Sequence, residues 1–71
     1  MFPLCLSPVG EETVIQRVGG RPETKKHLEN LGFVVGSTVT VVSTLGGNLI
    51  VKVKESRVGI SREMAQKIMV Q

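Results

Sequence analysis

The chain has no tryptophan, no tyrosine and no aspartate, and it carries one cysteine, one histidine and two phenylalanines. Each shortage removes a class of answer. Cys5 has no second thiol to pair with, so no internal disulfide staples the fold, and a reducing, cytosolic setting is the natural expectation. With no aspartate, the acids are Glu11, Glu12, Glu23, Glu29, Glu55 and Glu63, which form no cluster along the chain. Two aromatic residues, Phe2 and Phe33, do not make the stacking platforms that single-stranded nucleic acids need. Long apolar runs are also missing. Met1 to Leu6 is short, lacks a basic lead-in and is interrupted by Pro3, so it reads as neither a signal peptide nor a membrane span.

What is present suits a small β domain. A chain of 71 residues is expected to form one domain over 1–71, and at this size only about 60% of the unfolded surface is buried. Hydrophobic residues make up 41% and charged residues 21%, a balance that argues for a packed fold rather than disorder. The core must come from Val, Leu and Ile, which fit a pleated sheet. The net charge of +3 is modest. Lys25, Lys26, Arg57 and Arg62 are scattered, and a basic stripe for nucleic acid is not formed.

The chain is organised around residues 25–36. Leu28 and Leu31 lie three apart on one helical face, with Thr24 a turn earlier. Pro22 fits the first helical position, where its missing N–H has no acceptor to lose. Gly32 can take the left-handed conformation that ends a helix, letting Phe33 fold back onto Leu28. A helix over Pro22 to Leu31 is therefore expected, inserted in a chain that otherwise reads as strand and turn. Before it, Leu4 to Leu6 suggests a short edge strand or arm, Ser7 to Gly10 a turn, and Thr13 to Val18 a strand. Val14, Ile15 and Val18 do not share one face of that strand, which requires either a bulge or an outward-facing residue.

After Gly36, Thr38 to Leu45 and Leu49 to Lys54 form a hairpin. Side-chain parity favours a three-residue loop, Gly46-Gly47-Asn48, pairing Leu45 with Leu49 and Val41 with Val53. That register collects Val39, Val41, Leu45, Leu49, Val51 and Val53 inside. Glu55-Ser56 is a second tight connection, followed by a strand through Val58 and Ile60. Ser61 caps a helical turn at Arg62 to Ala65, with Glu63 near its positive end, and Ile68 to Val70 is a last strand. About five short strands bury their inner residues best as a small barrel.

Catalytic chemistry has little to work with, and no enzyme is expected. Glu23 and His27 stand four apart on the helix, and Cys5 is a further candidate metal donor, yet a pair of ligands falls short of a zinc site. The unspecific alternative is a loose surface pair. Gly19-Gly20 and Gly46-Gly47 lack the spacing and the lysine of a phosphate loop. A binding module remains, working through an exposed strand edge or through the inserted helix. On the helix, Lys25, Lys26, Leu28 and Leu31 are the candidate partner-binding residues, the competing reading being that both leucines pack inward.

Three segments together resemble the FeoA-type domain of the ferrous iron transport protein A family. They are Leu6-Ser7-Pro8-Val9-Gly10, Leu28-Glu29-Asn30-Leu31-Gly32-Phe33-Val34-Val35-Gly36, and Val58-Gly59-Ile60-Ser61 leading to Ala65 and Ile68-Met69-Val70. The Leu-x-x-Leu-Gly-apolar-x-x-Gly pattern is the most specific. His27 departs from the basic residue usual before the first leucine, and Val35 from the usual proline. The resemblance implies an SH3-like barrel in the bacterial cytosol that needs no cofactor. It implies an accessory role, docking on the cytosolic part of the membrane ferrous iron transporter FeoB, which carries a GTP-binding domain. A second reading is a free-standing metal-sensing or regulatory barrel like the C-terminal domain of DtxR-type repressors, binding a transition metal ion. The helix-turn-helix of those repressors has no counterpart here.

Overall fold

The computed structural model describes residues 1–71. Six antiparallel strands form one sheet in the order β1-β6-β2-β3-β4-β5, with β1 at Phe2–Pro3, β2 at Glu12–Val18, β3 at Thr38–Leu45, β4 at Asn48–Val53, β5 at Ser56–Ser61 and β6 at Ile68–Val70. Helix α1 spans Pro22–Asn30 between β2 and β3, and a single turn, α2, spans Arg62–Ala65. The sheet curls around one core of Val, Leu, Ile, Ala and Phe33, the largest side chain fully enclosed. The fold is mainly β, with six strands where about five are expected. The additional one is the two-residue β1, which pairs Phe2 with Val70.

Leu4–Leu6 is a 3₁₀ turn rather than a strand, closed by the Ser7 amide donating to the Leu4 carbonyl at 2.9 Å. The two leucines consequently part company: Leu4 is buried and Leu6 is exposed. In β2 both options left open by the sequence are taken. Val14 faces out, and a bulge between Ile15 and Arg17 opposite β6 turns Val18 back into the core.

The β3–β4 hairpin corrects the expected loop. Leu45 pairs with Asn48 across a two-residue turn, Gly46-Gly47, and a bulge between Val41 and Ser43 restores parity, so that Val41 faces Val51 and Val39 faces Val53. Gly46 has φ +60°, the value a II′-type hairpin assigns to glycine. The inner set is as expected except for Leu45, which is 66% exposed because it lies beyond the bulge. The next connection is also shifted by one residue. Val53 pairs with Ser56, so the turn is Lys54-Glu55, both with positive φ (49° and 64°). Two non-glycine residues in that region carry strain on the order of 1 kcal/mol each.

Candidate functional site: the face of helix α1

Local chemistry explains where α1 begins and ends. No side chain caps its start, and Pro22 occupies the first turn. At its end the Gly32 amide donates to Glu29 O at 3.0 Å and the Phe33 amide donates to Leu28 O at 3.0 Å, with Gly32 at φ +109°. This is the paired bonding of a Schellman stop, and it delivers Phe33 into the core beside Leu28.

Packing of α1 against the sheet is narrow. Leu28 is its one fully buried side chain, while Thr24 and Leu31 are half-buried. Leu28 is therefore corrected from a surface contact to an anchor: at 0% exposure it has no area to offer a partner. Leu31 keeps a partial edge. Lys25 and Lys26 are exposed, as are Glu23, His27, Glu29 and Asn30. The sequence does not reveal two further cations at the ends of this helix. A Cβ built on Gly20 would meet the Lys67 stem at 3.0 Å, and one on Gly32 would meet the Lys54 stem at 3.6 Å. Lysine side chains thus flank both ends of α1, drawn in from the β4–β5 turn and the approach to β6, which sequence distance conceals.

The three metal candidates stand apart in character: Glu23 and His27 on the open face of α1, and Cys5 half-buried in the 3₁₀ turn. No group of three or more His, Cys, Asp or Glu side chains is placed to hold a metal ion. One hollow of about 280 Å³ lies on the outer face of the sheet, lined by Glu12, Thr38, Thr40, Lys52, Lys54 and Glu55, none of them apolar. Pockets that enclose small molecules are mostly larger and apolar, with a few polar groups. No helix is long and apolar enough to cross a membrane. A short helix raised on one leucine presents Lys25 and Lys26 outward together with Glu23 and Glu29, a mixed-charge face chemically suited to contact with a polar surface of complementary pattern.

The FeoA domain family matches residues 2–71. A Methanocaldococcus jannaschii protein, named as a candidate Fe(2+) transport protein A, is 31% identical over 71 residues, which cover 100% of this chain and 87% of that protein. Among solved structures, Stenotrophomonas maltophilia FeoA complexed with zinc, described as a prokaryotic SH3 domain protein, is 26% identical with a TM-score of 0.86, over 100% of this chain and 91% of that one. A manganese-dependent transcriptional repressor in complex with manganese superposes with a TM-score of 0.88 at 19% identity, over 97% of this chain and 35% of that one, a likeness of fold alone. Matched by the family from Phe2 to Gln71 and carried at full length by its Methanocaldococcus relative, the chain belongs to the FeoA domain family.

Proposed function

We propose that this chain is a non-enzymatic, cytoplasmic accessory of ferrous iron uptake that docks on the cytosolic part of the FeoB-type GTP-binding iron transporter. The observation that carries the reading is the family match from end to end, shared with a relative named for Fe(2+) transport. The docking face is the outward side of α1, with Lys25 and Lys26 as charge contacts and the exposed edge of Leu31 as the apolar one. Leu28 supports that face from beneath.

Pull-down against the transporter's cytosolic domain tests the reading directly. The expected result is capture by the wild-type chain and at least about tenfold weaker capture by a Lys25→Glu/Lys26→Glu variant of unchanged fold, since rim charges govern association and its salt dependence. Failure of the wild-type chain to bind, together with normal iron uptake after its deletion, removes the proposal. A free-standing metal-sensing or regulatory barrel is the second reading, favoured by the zinc complex of the Stenotrophomonas relative. Calorimetry with Fe(II), Mn(II) and Zn(II) separates the two, because tight stoichiometric binding of metal alone supports sensing.

A further inference from the structure

The sheet has two ends, and they are protected differently. β1 is two residues long and includes Pro3, so it presents almost nothing to pair with. β5 is six residues long, contains no proline, and pairs with β4 through an unbroken register, whereas the β2–β6 and β3–β4 ladders are both bulged. Counting from the two-residue turn at Lys54-Glu55, hydrogen-bonded pairs fall at Val53/Ser56, Val51/Val58 and Leu49/Ile60. The N–H and C=O groups of Arg57 and Gly59 therefore point away from the sheet. No turn, loop or cap bond reaches them, and both residues are exposed.

The outer face supplies the charge argument. Cross-strand register lines up Glu12 with Thr40, Thr40 with Lys52, and Lys52 with Arg57. This row begins on an acid and ends on two adjacent cations, a like-charge juxtaposition that destabilises unless a neighbour offsets it. Glu55 lines the same hollow as Lys52, which leaves Arg57, outside that hollow, as the outermost cation of the row. The next position, beyond Arg57, lies off the edge of the molecule. Beneath it, Val58 and Ile60 continue the apolar inner row. Gly59 leaves the backbone between them bare of a side chain.

We infer that the free edge of β5 is a strand-addition site for an extended, acid-bearing peptide segment of a partner protein, the segment's carboxylate facing Arg57 and its backbone pairing with Arg57 and Gly59. The surface is distinct from the α1 face and does not depend on that face being the transporter's contact. Main-chain bonds supply the pairing and the row of side chains supplies the selectivity, as in other cases of strand addition.

The test is a titration of the isotope-labelled full chain with a short capped peptide in which valines alternate with glutamate and threonine, beside a twin with lysine for glutamate. A contact this small belongs to the about millimolar class, so peptide is carried to about 5 mM. The expected result is amide shifts and slowed exchange at Arg57 and Gly59, at least about tenfold weaker binding of the lysine twin, and weakening by salt. Arg57→Glu should reverse the preference between the two peptides. Gly59→Pro, which removes an outward N–H and no ladder bond, should abolish binding; if it fails to fold, backbone N-methylation of the peptide makes the same deletion from the other side. Shifts absent at the highest concentration, shifts centred on α1, or equal binding of both peptides overturns the proposal. So does concentration-dependent protection of β5 without peptide, which would assign the edge to a second copy of the chain.

Discussion

Replacing Leu28 by Ala is the most informative single perturbation, because the residue was a candidate contact by sequence and is an anchor by structure. Its side chain is fully enclosed in the same core as Phe33 and Val53, and the helix stop at Gly32 lies against Val53 and the Lys54 stem. Truncation removes about three carbons at about 0.8 kcal/mol each, a transfer loss of about 2.4 kcal/mol. The cavity left behind takes measured Leu→Ala costs to about 2–5 kcal/mol. Here the lower half of that range applies, because α1 has no other fully buried side chain to hold it and can undock rather than leave a void. A loss of about 2–3.5 kcal/mol is expected from urea unfolding followed at fixed m-value. Hydrogen exchange should show α1 amides losing protection well before β3 and β4. At temperatures where the variant stays folded, partner binding per folded molecule should persist. A stability change within about 0.5 kcal/mol, the range of ordinary surface substitutions, would refute the burial argument.

Three further outcomes follow from the same geometry. Ser61→Ala removes the hydroxyl that accepts from the Met64 amide at 3.2 Å, and should cost about 0.5–2 kcal/mol in thermal or urea unfolding. Leu45→Ser should change stability by no more than about 0.5 kcal/mol, since the residue is exposed beyond the bulge; a loss of core size would reinstate the three-residue loop. Glu55→Gly relieves a positive φ of 64° and should stabilise by about 0.5–1 kcal/mol, raising the midpoint of thermal unfolding by about 2–8 °C.

The likeness to repressor domains illustrates how far a fold reaches on its own. A curled sheet with an inserted helix serves within a longer repressor and within FeoA proteins, so the shape does not select between them. What this chain offers a partner is its surface: the lysines around α1 and the β5 edge. Neither feature resides in the buried residues, which can be exchanged for similar apolar ones with the fold intact.

Local chemistry was readable from residue order alone. The Pro22 start and Gly32 stop of α1, the fold-back of Phe33, the Ser61 cap and the β-branched strands each depend on neighbours within about six residues, over which backbone bonding is largely self-contained. Parity likewise revealed most of the inner face of β3 and β4. It could not decide how parity is kept. A three-residue loop and a two-residue turn with a bulge place Val39, Val41, Val51 and Val53 identically, and only cross-strand partners choose between them, which is why Leu45 was assigned inside and lies outside. The same holds for Thr13, whose hydroxyl donates to Val39 O at 3.1 Å across 26 residues, for the lysines that reach α1 from the β4–β5 turn and from beside β6, and for the exposure of the β5 edge. These are relations between segments distant in the chain, and they come into being only when the sheet closes around its core.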